Sequence, residues 1–339
     1  MKIERNISLK NYNTCGIDVL TNTFIEINIS SDIVELTKQY TTLPQPVYIL
    51  GLGANTLFTN NFTGTIIHIS TKGISVISED DNSIFIKVKA GEIWDDFVTF
   101  CIKNNYYGIE NLVAIPSTVG AVPIQNIGAY GVEASDVIHE VYYTNIIDSK
   151  NYIINKESCN FSYRDSIFKN ELKDKIIITE VIFKLSKRPS FKLNYGQIQD
   201  ELIKTNNPNP KIQDIANIIR NIRSTKLPDY KINGNAGSFF KNPIISIKKY
   251  NILLEDFPNI ISYKIDNSKI KIAAGWLIDN ANLKGYKIGG AMVHCKQALV
   301  IINNGNAKGQ DFKKLSEYIQ KKILDIYDIN IYPEVIILK

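Results

Sequence analysis

The sequence predicts an α+β fold in more than one domain. Three observations carry that reading. Apolar runs of strand length end in glycines or turn formers. Segments of helical period lie among them without regular strand–helix alternation. A turn-rich stretch at 188–211 interrupts the chain well before its end. With 339 residues and roughly 150 per domain, about two domains are expected.

The elements follow in order. PVYILGLG (46–53), GTIIHIS (64–70) and SIFIKVKAG (83–91) read as strands. IWDDFVTFCIKNN (93–105) sets Ile93, Phe97, Phe100 and Cys101 at helical spacing. VIHEVYYTNI (137–146) and KIIITEVIFKL (175–185) are further strands. Residues 188–211 form a loop with room for one short helix. IQDIANIIRNIRSTK (212–226) is an amphipathic helix with the stripe Ile212, Ile215, Ala216, Ile219 and Ile222, stopped before Pro228. NGNAGSFFKNP (233–243) is too polar for a core strand and too broken for a helix. KIAAGWLIDNANLKG (271–285) reads as buried and QALVIINN (297–304) as a strand. DFKKLSEYIQKKILDIY (311–327) is a helix and IYPEVIIL (331–338) a closing strand. There is no internal repeat and no low-complexity tract.

Composition narrows the function classes. Hydrophobic residues are 44% and charged residues 22%, as in ordinary globular chains. The net charge of +5 is spread along the sequence. No basic cluster alternates with aromatics, which argues against a nucleic-acid partner. The cysteines Cys15, Cys101, Cys159 and Cys295 form no CxxC pair and no metal-ligand spacing with the histidines. A reduced, cytoplasmic protein without a metal is expected. The N-terminus has no apolar run, so no signal peptide is expected. Residues 111–132 are uncharged and long enough to span a bilayer. Pro116, Pro123, Gly120, Gly128, Gly131 and several amides argue against a lipid-facing helix, so no membrane insertion is expected.

Three sets of residues carry chemistry. ILGLGANTLF (49–58) sets Gly51 and Gly53 after a strand. Thr56 stands where a dinucleotide fold needs its third glycine, and no helix follows. A pyrophosphate cradle of backbone amides or a plain glycine turn both fit. NLVAIPSTVGAVPIQNIGAYG (111–131) is rich in small residues, so its backbone can pack against something flat. Its amides Gln125 and Asn126 can then bond a heterocycle edge; a buried loop is the alternative. The third set is polar residues among apolar neighbours: Tyr163, Arg164 and Asp165 in FSYRDSIFK, Glu334 in the closing strand, and Ser238 between Gly237 and Phe239. Singly, these read as a surface ion pair, an edge position and a turn hydroxyl.

Together, NTCGID (13–18), LGLGAN (50–55), IPSTVGAVPIQNIGAYG (115–131), YRDSIF (163–168), NGNAGSFFKNP (233–243), AAGWLID (273–279), LKG (283–285) and PEV (333–335) run nearly end to end. In this order they resemble the UDP-N-acetylenolpyruvoylglucosamine reductase family, type I, the flavoenzymes of bacterial peptidoglycan synthesis. The resemblance implies an FAD-binding domain of the vanillyl-alcohol-oxidase type over 1–187, in two subdomains split near 73. It implies a loop over 188–211 bearing Tyr195. A C-terminal α+β substrate domain covers 212–339, its last strand returning to the first subdomain. FAD would lie against Gly51, Gly53, Ala54, Asn55 and Thr56, and along Ile115, Pro116, Ser117, Gly120, Gln125, Asn126, Gly128, Ala129 and Tyr130.

The family reaction passes a hydride from NADPH through FAD to the β-carbon of an enolpyruvyl ether on a UDP-sugar. By resemblance, Ser238 gives the proton to the α-carbon, and Arg164 and Glu334 flank the carboxyl. Tyr163, Tyr195, Lys226, Asn242, Lys284 and Gln297 match contacts to the UDP-sugar or NADPH. A monomer is expected. Two positions depart from the common pattern: Ala54 stands where many members carry Ser, and Ser117 where many carry Gly. A missing phosphate hydrogen bond at Ala54 costs about 1 kcal/mol, so weaker flavin retention is the expectation. A different flavin oxidoreductase of this fold, acting on an alcohol, is the alternative. An inactive flavin-binding protein is a second.

Overall fold

The computed structural model describes residues 1–339, the surroundings of Gly196 apart. Its contacts fall into two compact units. The first comprises Met1–Ile7, Thr21–Leu52 and Thr63–Arg223; the second comprises Ser8–Leu20, Gly53–Phe62 and Ser224–Lys339. The expected division at 188–211 is therefore displaced in two ways. Two short N-terminal stretches belong to the second unit. The helix expected to open the C-terminal domain belongs, up to Arg223, to the first.

The first unit holds two larger sheets and a short two-stranded hairpin. Lys2–Ser8, Leu20–Ile27, Phe62–Ile69 and Val47–Leu50 lie in that spatial order, with α1 (Ser31–Lys38) following the second of them in sequence. Val47–Leu50 and Phe62–Ile69 run parallel. The other sheet is antiparallel: Asn151–Asn155, Ile138–Asn145, Ile176–Ser186, Ser83–Lys89 and Ile74–Glu79. Along Ser83–Lys89 the buried positions alternate as Ile84, Ile86 and Val88, the period of a strand with one face inward.

Helix α2 (Trp94–Lys103) carries Asp95 and Asp96 in its first turn, where the helix dipole favours negative charge. Its Trp94 and Phe97 cluster with Phe183 at ring-centroid distances of 4.8–5.8 Å. The Trp94 indole N–H donates to the Leu112 carbonyl at 2.9 Å. The turn-rich stretch contains α3 (Gly196–Thr205), and α4 (Ile212–Lys226) follows. The expected stripe of α4 is buried in the first unit's core with Phe97, Ile109 and Leu185. That burial is why α4 sides with this unit.

In the second unit, Asn235–Ser238, Val300–Asn303, Ala291–Val293 and Lys287–Ile288 form an antiparallel sheet. Ile244–Ser246, Lys269–Ile272 and Ser262–Lys264 form a smaller one. Ile336–Leu338 pairs in parallel with Thr56–Phe58, so the chain ends against one of its early segments. The helices are α5 (Ile247–Asp256), α6 (Ala274–Asn280) and α7 (Gly309–Tyr327). Helix α7 buries Phe312, Leu315, Ile319, Ile323 and Tyr327, an unbroken stripe of helical spacing.

Two expectations are corrected here. The stretch Asn233–Pro243 contains a strand after all, Asn235–Ser238. Its polarity is consumed internally: the Asn235 amide donates to the Asn233 carbonyl (2.8 Å) and accepts from the Gly237 amide (2.9 Å). Gly237 at φ +69° lets the strand bulge between Asn235 and Ser238. The closing strand is shorter than 331–338, so Glu334 precedes it, beside the Phe240–Pro333 bridge.

Candidate active site

Gly51 follows the first unit's strand Val47–Leu50, whereas Gly53–Thr56 belongs to the second unit. The rest of the first unit's candidates converge on the segment 111–131. It has no long element: two single 3₁₀ turns, Glu110–Leu112 and Val119–Ala121, and a short hairpin, Gly128–Ala129 with Val132–Glu133. Charged side chains hold it. The Asp95 carboxylate accepts the Ala114 amide at 2.6 Å. Arg220 forks onto the same carboxylate at 2.7 and 3.0 Å. Arg223 Nε donates to the Ala114 carbonyl at 3.3 Å, and the guanidinium lies close enough to the Tyr130 phenol for the two to influence each other electrostatically. Burial pushes the Tyr130 phenol up, with Arg223 pulling it back. Burial also holds Arg223 below its usual range, opposed by Tyr130.

Arg164 sits at φ +57°, its Nη2 donating to the Gly128 carbonyl at 2.8 Å and its Nη1 to the Asn126 carbonyl at 3.4 Å. It covers the Tyr163 ring at 5.5 Å. Tyr195, exposed at the start of α3, meets Tyr130 edge-on at 5.6 Å. So Asn126, Gly128, Tyr130, Tyr163, Arg164 and Tyr195 come together in this unit. Ser117 folds its hydroxyl onto the Thr118 carbonyl at 3.0 Å.

Asn126 corrects an expectation. Its amide is fully buried. It donates to Glu133 (2.7 Å) and to the Ser162 carbonyl (3.2 Å), and accepts from the Ser135 amide (2.9 Å). With both donor hydrogens engaged, the side chain organises the loop rather than offering a donor to a heterocycle. Asn111 is the reverse case. Its Nδ2 donates to the carbonyls of Tyr130 and Lys192, both at 2.9 Å. Its buried Oδ1 has no hydrogen-bond partner among the described residues.

Backbone conformation marks the same place. Thirteen described non-glycine residues have left-handed φ, and nine of them are Asn or Asp, which tolerate it. The other four are Ala114, Tyr130, Ser149 and Arg164. Three of those four lie in this cluster, and held strain concentrates at functional sites.

In the second unit, Ser238 is exposed at the end of its strand, paired with Val300. A Cβ built on the neighbouring Gly237 would meet nothing within 4 Å. The Glu334 amide donates to the Phe239 carbonyl at 2.8 Å, so Glu334 is bonded to the residue that follows Ser238. Asn55 completes the group: its Nδ2 donates to the Glu334 carbonyl (3.3 Å) and its own carbonyl accepts the Ile336 amide (3.0 Å). Gly53 has φ +66°, and a Cβ there would lie 2.3 Å from the Tyr12 carbonyl oxygen, so only glycine fits. Among the described residues, no acceptor takes the amide hydrogens of Gly53 and half-buried Ala54.

The remaining candidates are more dispersed. Asn242 Oδ1 accepts the Ala274 amide at 2.9 Å, at the start of α6. Lys284 pairs with Asp279. Gln297 Oε1 accepts from the Leu299 amide at 3.4 Å, and Lys226 is exposed at the end of α4. Sequence reasoning missed Asp95, Arg220 and Arg223. Their signal was two arginines three apart on an isoleucine-striped helix, one turn before Lys226.

An FAD-binding domain model matches residues 24–147. The C-terminal domain of UDP-N-acetylenolpyruvoylglucosamine reductase matches residues 228–338. Proteins of that name are similar along the whole chain. The one from Flavobacterium johnsoniae is 43% identical and covers 99% of each chain. That from Shewanella oneidensis is 43% identical over 96% of this chain and 94% of its own. That from Bacteroides fragilis is 42% identical over 98% and 99%. The crystal structure of the Thermus caldophilus enzyme superposes with a TM-score of 0.72 over 100% of both chains at 22% identity, which speaks to the fold. Full-length identity above 40%, together with the C-terminal domain that defines these enzymes, makes this chain a member of the UDP-N-acetylenolpyruvoylglucosamine reductase family.

Proposed function

We propose that this chain reduces UDP-N-acetylglucosamine enolpyruvate to UDP-N-acetylmuramate, with NADPH as donor and FAD as carrier. The observation that carries the reading is that exposed Ser238 precedes Phe239, whose carbonyl accepts the amide of half-buried Glu334, in a member of this family. The residues suit a bound flavin dinucleotide. The open amides of Gly53 and Ala54 can take pyrophosphate oxygens. The unpartnered Asn111 acceptor and the left-handed Ala114, Asn126 and Tyr130 support a flavin-facing role for this segment. When bound, FAD supplies the hydride that it has accepted from NADPH to the β-carbon of the enolpyruvyl group.

The chain's own groups must then handle charge and a proton. Hydride addition leaves negative charge spread into the substrate carboxyl. Arg164 is always cationic, and its guanidinium can fork onto a carboxylate. Fixed charge placed where charge develops is often the largest single catalytic contribution. In this reading Glu334 flanks the same carboxyl. Ser238 gives its hydroxyl proton to the α-carbon. A serine is a weak acid in water, so it must be held against the carbanion where water does not compete. Its place beside the unobstructed face of Gly237 suits such an approach. Tyr195, Lys226, Asn242, Lys284 and Gln297 hold the UDP-sugar or NADPH in this reading, Asn126 serves the flavin through its backbone, and the protein works as a cytoplasmic monomer. No helix among the described residues is long and apolar enough to cross a membrane.

The test is an anaerobic visible spectrum of the purified protein supplied with FAD. NADPH should bleach the flavin and UDP-N-acetylglucosamine enolpyruvate should restore it. Bleaching without recovery would remove the substrate assignment, and a protein that binds no FAD would remove the whole reading.

A further inference from the structure

The first unit contains a residue whose peptide is gripped on both sides by charge. Ala114 has φ +58°, a conformation that costs an alanine and suits a glycine. Its amide hydrogen goes to Asp95 at 2.6 Å and its carbonyl accepts from Arg223 Nε at 3.3 Å. Neither charged group is free to wander. Arg220 forks onto Asp95 and also donates to Thr99 Oγ1 at 2.9 Å. Arg223 is largely buried, with the Tyr130 phenol as an electrostatic neighbour. Ala114 immediately precedes Ile115, where the flavin-facing segment begins, and Tyr130 stands near its far end.

We propose that Asp95 and Arg223 are positioning residues that force Ala114 into the left-handed conformation and so set the course of residues 115–130 along the flavin. This rests on the flavin reading above. The physical argument is one of compensation. A left-handed alanine would relax toward ordinary backbone angles if its neighbours allowed it. A hydrogen bond to a carboxylate and one from a guanidinium are both charge-assisted, the strong kind. They act on the two polar groups of one residue, so together they fix its peptide orientation. Arg223 holds the Ala114 end of the segment from α4, and Asn111 Nδ2 donates to the Tyr130 carbonyl at its other end. A plain stabilising role for Asp95, as an acidic residue in the first turn of α2 paired with Arg220, would not need the Ala114 contact.

Glycine at 114 separates these roles, because glycine reaches the left-handed region unaided. The experiment compares FAD dissociation constants by flavin fluorescence, the visible absorption band of bound flavin, and the melting temperature of the flavin-free protein. Asp95→Asn is expected to weaken FAD about 10- to 100-fold, the range for losing a hydrogen bond to a charged group. It should also shift the flavin band. Adding Ala114→Gly to Asp95→Asn should recover most of the affinity and the band position, although the Asp95–Arg220 pair stays broken. If Asp95→Asn leaves FAD binding unchanged, or if Ala114→Gly recovers none of the loss, the proposal is overturned. Should Asp95→Asn fail to fold, Arg223→Lys, which keeps the charge but removes Nε, is read in the same way. Unchanged FAD affinity in that variant also overturns it. An unaltered protein that takes up no FAD overturns the flavin reading and this proposal together, whereas normal uptake with indifferent variants overturns this proposal alone.

Discussion

Ser238 raises the sharpest question at the level of single residues, because a turn hydroxyl and a proton donor look alike in sequence. Ser238→Ala should leave the bleaching of flavin by NADPH nearly unchanged. It should slow the return of the flavin spectrum on adding substrate by about 10²–10⁴-fold, the usual worth of a general acid. Equal slowing of both half-reactions in stopped flow would make the side chain structural. Glu110 invites a different test. It is almost fully buried, and burial pushes its carboxyl up although three backbone amides, including Gly108 at 2.7 Å, oppose the shift. A carboxyl that holds its proton longer in the folded state than in the unfolded state contributes stability at low pH. That contribution is lost as pH rises from about 4.3 through the folded-state value. Glu110→Gln should therefore raise the melting temperature at pH 7 more than at pH 4; an equal change at both would remove the linkage. Ser238, Arg164 and Glu334 could be singled out as candidates because each lies in a short distinctive string. Asp95, Arg220 and Arg223 were not, because their meaning depends on contacts 109–125 residues apart in sequence.

For the secondary-structure elements, legibility followed periodicity. The stripe of 212–226 came through residue for residue, and the helix expected over 311–327 runs from Gly309 to Tyr327, since a 3.6-residue repeat over four or more turns has few alternative explanations. The strand Asn235–Ser238 failed because its sequence, NAGS, has none of the alternation that marks a half-buried strand. It is held by asparagine rather than by apolar packing. Asn235 closes the local turn through its own side chain, and its backbone is held by Thr14: its amide donates to the Thr14 carbonyl at 2.8 Å, and the Thr14 side-chain Oγ1 donates to its carbonyl at 2.6 Å. Asn235→Ala should keep the bonds to Thr14 and lose those of its own side chain. The half-buried Gly237 donor and Asn233 acceptor would lose their partner, at up to about 1–3 kcal/mol. The urea midpoint should fall with an unchanged slope. A midpoint equal to that of the unaltered protein would show that water replaces the amide at no cost.

Across the whole molecule, the least legible feature is that neither unit is continuous in sequence. A turn-rich stretch suggests a linker, and nothing in the residues 8–20 or 53–62 announces that they pack with the last third of the chain. The consequence can be sized. Within those two stretches Leu9, Ile17, Leu57 and Phe58 are buried, and none belongs to the first unit's core. At about 1.5–3 kcal/mol for each fully buried side chain, their removal costs roughly 6–12 kcal/mol. A domain's entire stability is about 5–15 kcal/mol. Removal would also strip Ile336–Leu338 of its parallel partner Thr56–Phe58 and Asn235 of Thr14. A fragment of residues 212–339, the domain that sequence patterning suggests, would in addition expose the isoleucine stripe of α4, which is buried in the first unit. Such a fragment is expected to show no cooperative thermal transition by circular dichroism and to bind a hydrophobic dye, whereas the full chain melts sharply. A sharp melt of the fragment would mean that the 224–339 core is self-sufficient, and that the two early stretches are attached to a domain that already folds without them.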